Sequence, residues 1–222
     1  MKTMKKFKYN LYFKRCLIIL FLLTLFIYIS AISYVHAVSN DISESVFRLH
    51  VIANSDSVED QNLKYKVRDN VINYMNSLCS SAASKEEAIK LAKEHTDEFY
   101  NIAKQTVIDN GYSYDIKINI GNFDFPTKQY GDISLPAGSY DALRIEIGKA
   151  NGQNWWCVMF PPLCFVDVSS GIVPEESKET IKKSLSNEEE YVLINEDKNT
   201  DIKFKFKLIE MFQNVKIKTA KK

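Results

Sequence analysis

The stretch Asn154-Trp-Trp-Cys-Val-Met-Phe-Pro-Pro-Leu-Cys-Phe-Val-Asp167 leaves this chain the fewest choices. It holds both tryptophans, two of the four cysteines and two of the five prolines. Exposing so much apolar surface to water is unfavourable, so the stretch belongs in a core or an interface. In an extended conformation Trp155, Cys157 and Met159 share one face, and Trp156, Val158 and Phe160 the other. Apolar residues on both faces predict a strand covered on both sides. Pro161 and Pro162 have no N–H to give and end the ladder. Leu163 to Val166 then run on as a second apolar piece past the bend.

The N-terminus sets the compartment. Lys2, Lys5, Lys6, Lys8, Lys14 and Arg15 precede a run from Cys16 to Asn40 without one formally charged residue, and the first acid is Asp41. A basic end followed by an apolar segment is the layout of an export signal, with the basic end held in the cytosol. Val35-His36-Ala37 offers side chains of the size a signal peptidase reads. The apolar run exceeds an ordinary signal core and approaches the length of a membrane span, so a cleaved signal and an uncleaved anchor both remain open. Either places the rest of the chain outside the cytosol. The net charge of +1 therefore conceals an asymmetry: without those six cations, 23 basic residues face 28 acidic ones, a net of −5. A domain of that sign is a poor nucleic-acid binder.

Three cysteines lie beyond the apolar segment: Cys79, Cys157 and Cys164. Cys157 and Cys164 flank the Pro-Pro bend, which could bring their Cα atoms within disulfide range, and an oxidising compartment would favour the bond. Two buried thiols acting as small apolar residues are the alternative. With no Cys-x-x-Cys pair, a structural zinc site is not expected.

Between these landmarks the pattern is mixed. Val46 to Ala53 reads as a strand, stopped by Asn54-Ser-Asp-Ser. Ser57 or Asp56 caps a helix near 57–79, whose apolar stripe is Leu63, Val67, Val71, Met75 and Leu78. Ser84 caps a second helix near 84–110, with Ala88, Leu91, Ala92, His95, Phe99, Ile102, Ala103 and Thr106 inward and Asn110-Gly111 as its stop. Tyr112 to Ile120 alternates as a half-buried strand, and Tyr140 to Gly148 does likewise. Gly121 to Gly138 reads as a long ordered connection carrying Phe123, Phe125, Pro126, Tyr130 and Pro136, longer than connections usually are. Asn151-Gly152 is a tight-turn signal, predicting antiparallel pairing of the strands on either side. Pro174 to Ser186 suits a helix, and the segment from Ile202 to Val215 reads as a helix with some strand character.

These elements predict one α+β domain over 41–212, preceded by the export or anchor segment 1–40 and followed by a basic tail, 213–222. Its mainly antiparallel sheet would carry two long helices on one face.

Catalytic spacings are missing. There is no His-Glu-x-x-His, no Gly-x-Ser-x-Gly, no phosphate-cradling glycine loop and no dinucleotide fingerprint. The sharpest enzymatic reading is a thiol enzyme of the cell envelope, with Cys157 or Cys164 as nucleophile, His50 as base and Asp56 beside it. A strand histidine and a helix-capping turn explain His50 and Asp56 without catalysis. We expect no catalytic residues, metal, cofactor or small-molecule substrate. The expected partner-contact residues are Tyr130 and Phe125 on the long connection and Pro161 and Pro162 at the bend, because loops on a rigid sheet carry binding residues and aromatics anchor interfaces.

Three motifs, in order along the chain, resemble the stage II sporulation protein R family of endospore-forming bacteria. They are His50-Val-Ile-Ala-Asn-Ser-Asp-Ser with the helix at Lys64-Tyr-Lys-Val-Arg-Asp, then Pro136-Ala-Gly-Ser-Tyr-Asp-Ala-Leu-Arg, then the Trp-Trp stretch itself. The resemblance spans residues 47 to 167. It implies a protein exported from the forespore into the space between the two membranes. There it would activate a membrane-embedded aspartic protease of the mother cell, which cleaves pro-sigma-E. It implies no active site.

Overall fold

A computed structural model describes residues 2–79, 82, 84–161, 173 and 175–185. The chain divides into two compact units, Met1–Val38 and Ser39–Lys222. In the first, helix α1 (Lys2–Ser45) carries the segment Tyr12–Ser30, long and apolar enough to cross a membrane and exposed along its whole length. Its side chains are apolar all round, as in a helix meant for lipid or for a translocation channel rather than for a core stripe.

The second unit is α+β. Its main sheet has the strand order β2-β5-β1-β6, from β1 (Phe47–Ile52), β2 (Ile116–Phe125), β5 (Gly138–Ile147) and β6 (Asn154–Phe160). A small hairpin of β3 (Lys128–Tyr130) and β4 (Ile133–Leu135) forms a second sheet. All six residues of β1 are buried, because it is central and covered on both faces. Helices α2 (Val58–Cys79), α3 (Lys85–Glu94) and α4 (Thr96–Asp109) cover one face. Leu63, Val67, Val71, Met75, Ala88, Ala92, Phe99, Ala103 and Val107 meet Phe47, Leu49, Val51, Leu143, Ile145, Ile147 and Cys157 there in one apolar cluster. A short helix, α5 (Glu175–Ser184), ends the described chain.

Four expectations are corrected. The second helix is two helices, broken at His95, whose φ of −107° and ψ of 25° leave helical geometry. The Tyr74 hydroxyl holds the His95 Nδ1 at 2.8 Å, and the break lets both Ala88-Ala92 and Phe99-Ala103-Val107 turn inward. The strand expected to start at Tyr112 starts at Ile116, where pairing with Ile147 begins; Tyr112 and Tyr114 stack on each other before it. The long connection is also mostly strand, since β2 runs on to Phe125 opposite Gly138 and the hairpin follows.

The fourth correction concerns pairing. Asn151-Gly152 does not join two neighbours. β1 lies between β5 and β6, parallel to the first and antiparallel to the second. The connection passes over the end of β1 and is clasped to it, with Asn151 N donating to Asn54 O (3.2 Å) and Gly152 N to Ala53 O (2.9 Å). A Cβ on Gly152 would sit 2.2 Å from the Ser55 carbonyl oxygen, so only glycine allows this approach. The sequence signal for a turn was the signal for a backbone contact.

The rest of the Asn54-Ser-Asp-Ser motif completes the clasp. Asn54 donates to Asp60 Oδ2 (2.7 Å) and accepts from Lys149 N (3.0 Å). Ser55 Oγ donates to the same carboxylate, and Gln153 N donates to Asp56 Oδ1 (2.7 Å). Ser57 caps α2 by accepting from Asp60 N at 3.2 Å. Burial alone would raise the Asp60 carboxyl, but the hydrogen bonds from Ser55, Asn54 and Tyr114 outweigh it and hold the group below its ordinary value.

Candidate functional site

Alternation along β1 sends Phe47, Leu49 and Val51 toward the helices and Arg48 and His50 to the opposite face. The register puts Ala142 and Val158 beside Arg48, and Arg144 and Trp156 beside His50. Ending the same face are Phe125 of β2 and Tyr140 of β5. The β3–β4 hairpin lies over this part of the sheet, since the Tyr130 hydroxyl donates to Trp156 O (3.2 Å) and accepts from Arg48 Nη2 (2.6 Å). Ile133 and Leu135 of the hairpin are fully buried.

Arg48 is the centre of this arrangement. It is fully buried, with its guanidinium 4.0 Å from the Phe125 ring centre and 4.6 Å from that of Tyr140. The aromatic faces supply cation–π attraction. Among the described residues no carboxylate pairs with it, and its Nε and Nη1 have no hydrogen-bond partner. Tyr140, also fully buried, donates to Pro136 O at 2.6 Å. Burial raises the Tyr130 hydroxyl, against the opposing pull of Arg48.

His50 stacks on Trp156 with ring centres 3.7 Å apart and meets the edge of Phe125. Its Nε2 bonds Asn154 Oδ1 at 2.8 Å, while Nδ1 is buried without a partner. Burial lowers its pKa to about 4, the Asn154 bond opposes this, and Arg144 and Arg48 lower it further. It is a neutral imidazole at pH 7. Arg144 pairs with Glu146 at 2.8 Å and leaves its Nε unpartnered. Three of the unpartnered side chains thus share one face of one sheet, two of them cations.

The thiol-enzyme pairing of His50 with Cys157 is not assembled. Cys157 lies opposite Leu49 on the helix face, whereas His50 projects from the other face, so the sheet separates them. Cys157 is disulfide-bonded, which removes it as a nucleophile in this form. Asp56 is occupied by the backbone of Gln153 rather than by His50. Cys164, expected as the disulfide partner or as the other nucleophile, lies outside the described residues.

The expected contact residues are placed differently from a loop surface. Phe125 is fully buried beneath Arg48, Tyr130 is half-buried with its hydroxyl inward, and Pro161 is buried at the end of β6. Pro162 lies outside the described residues. Phe125 and Pro161 are buried because the supposed loop is folded onto the sheet; Gln129, in the middle of β3, is the exposed residue of that strand. The sequence reading missed Arg48. Its signal was present: a cation between Phe47 and Leu49 in a strand whose remaining residues, His50 apart, are apolar.

The family described as Stage II sporulation protein R matches residues 43–170. The protein of that name from Bacillus subtilis (strain 168) is 37% identical over 185 residues, covering 78% of this chain and 83% of the relative. No solved structure matches the chain.

Proposed function

This chain belongs to the stage II sporulation protein R family, and from that premise we propose that it is a sporulation signal, exported from the forespore, that activates a membrane-embedded aspartic protease of the mother cell and so leads to cleavage of pro-sigma-E. It acts by binding and performs no covalent chemistry. The observation that carries the binding reading is the sheet face itself. Its histidine is neutral, stacked and remote from Cys157, so the first of the three motifs that resemble the family, His50 to Ser57, is accounted for by the clasp and the buried face rather than by a nucleophile and base. The apolar segment Tyr12–Ser30 supports export, as a signal or an anchor.

The contact belongs on the hairpin that carries Tyr130. It is an extra layer on the sheet, the middle of its first strand exposes Gln129, and the rigid sheet holds it in place. The test is co-expression of the protease, pro-sigma-E and this protein. Lys128→Glu with Gln129→Glu is expected to abolish processing while leaving the unfolding midpoint unchanged. Normal processing by that variant would remove the hairpin from the interface. Loss of processing on His50→Gln, with folding and protease binding intact, would return the enzymatic reading.

A further inference from the structure

A buried guanidinium without an acid among the described residues is the least expected feature of this fold. Arginine carries its charge throughout the physiological pH range, so it cannot adapt to burial by releasing a proton. Buried charges are normally paired, and each buried donor left open carries a desolvation penalty. Arg48 is fully buried, holds one neutral hydroxyl through Nη2 and leaves Nε and Nη1 open. Two positions along the same face of β1, His50 is buried with Nδ1 open. Directly across from His50, Arg144 leaves Nε open while Nη2 holds Glu146. Arg48 and Arg144 are diagonal neighbours on adjacent strands of this face, about 8 Å apart at the backbone, a span that two long side chains close around one small ligand.

The electrostatic sum on this face is unbalanced. Among the described residues that the four strands turn to this face, Arg48, Arg144 and the exposed Lys117 opposite Glu146 bring three positive charges, Glu146 one negative, and neutral His50 none. A water could occupy the open donors but would leave the charge uncompensated. A planar carboxylate supplies the charge and two acceptor oxygens, and it matches a guanidinium in geometry. The rings of Phe125 and Tyr140 pack on the guanidinium, and Trp156 packs on Phe125; this apolar surround strengthens such a pair by excluding water.

We propose that this face of the sheet is a carboxylate-binding site, with Arg48 as its principal cation, Arg144 at its rim and the β3–β4 hairpin as its lid. In the closed form the Tyr130 hydroxyl stands in for a carboxylate oxygen on Arg48. Binding replaces that bond with a charged one and lifts Tyr130 from Trp156 O. The proposal does not depend on the identity of the protease or on the hairpin being its contact.

The test uses the full chain in detergent, with sodium acetate as probe and sodium chloride at equal ionic strength as control, unfolding being followed by tryptophan fluorescence. Acetate is expected to raise the midpoint saturably where chloride does not. Tyr130→Phe removes the competing hydroxyl and should lower the half-saturating acetate concentration at least threefold. Arg48→Met should abolish the acetate-specific rise. Should Arg48→Met fail to fold, Arg144→Gln serves instead, and a severalfold rise in the half-saturating concentration is expected. A second arm separates free acids from acidic side chains: a peptide with one central glutamate displaces acetate, and its glutamine twin does not, if a polypeptide is the source, whereas acetate binding without peptide competition indicates a free acid. Identical midpoints in acetate and chloride for both the native chain and Tyr130→Phe would overturn the site. So would an acetate effect that persists undiminished in both Arg48→Met and Arg144→Gln.

Discussion

Protonating His50 should unlock this domain in mild acid. The side chain is buried, stacked on Trp156 and flanked by Arg144 and Arg48, and its pKa falls from 6.5 to about 4. A lowered pKa means that the unfolded chain binds the proton more readily than the folded one. The contribution of this group is fully present above the unfolded value and is lost as pH falls through 6.5 toward 4. At about 1.36 kcal/mol per pH unit, the loss between pH 7.5 and pH 4 comes to about 3 kcal/mol, a large share of the ~5–15 kcal/mol of an ordinary domain. Urea unfolding at pH 7.5, 6.5, 5.5 and 4.5 measures it. Carboxylates titrate in the lower part of the same window, so the informative quantity is the difference between the native chain and His50→Gln. That variant should be the less stable protein at pH 7.5, and the gap should close by roughly 2–3 kcal/mol by pH 4.5. A gap constant across the series would show that burial and the two arginines do not set the charge state of His50.

Gly152→Ala should destabilise by more than about 2 kcal/mol in chemical unfolding, because the added Cβ meets the Ser55 backbone, which cannot step aside without breaking the clasp on β1. Ser84→Ala removes the hydroxyl that accepts from Glu87 N at the start of α3 and should cost about 1 kcal/mol, read as a shift in urea midpoint at unchanged slope. Trp156→Ala strips the stacking partner of His50 and a wall of the Arg48 slot; a loss of about 3 kcal/mol is expected, with sigma-factor processing lost through folding rather than through contact. Protease added to intact cells or protoplasts should reach the domain, and complete protection would contradict export.

The elements themselves were legible because their signals are local. Leu63, Val67 and Val71 repeat at helical spacing, Ile116, Ile118 and Ile120 alternate, and Ser84 announces a cap. The face of each tryptophan also follows from alternation alone: Trp155 partly buried against the helix cluster, Trp156 against His50. What was not legible depends on partners distant in sequence. Asn151-Gly152 carries the same letters whether it turns a hairpin or crosses a strand; which it does is decided by Ala53 and Ser55, nearly a hundred residues earlier. Phe123 and Phe125 alternate as strand residues, but the glycines around them suggested a loop. Arg48 was passed over because a charged residue in a strand is ordinarily solvated, and only the hairpin laid on top of it makes it buried. The break at His95 was hidden because both halves of the helix keep an apolar side toward the same core.

The position of β1 has a consequence for how the chain comes to be folded. It is the first strand synthesised and the middle one of the sheet, yet its parallel neighbour begins only at Gly138 and its antiparallel one at Asn154. Both ladders therefore close long loops, and contacts of that separation come late and slowly. An N-terminal fragment reaching as far as Asp109 holds β1 and the helices α1 to α4 but neither of the strands that flank β1. A domain passed through a narrow channel in chain order thus stays loose until the Trp-Trp segment emerges. If the domain is exported, the residues that complete the sheet would cross after β1 and all the helices that cover it, and the order of the strands alone would delay locking.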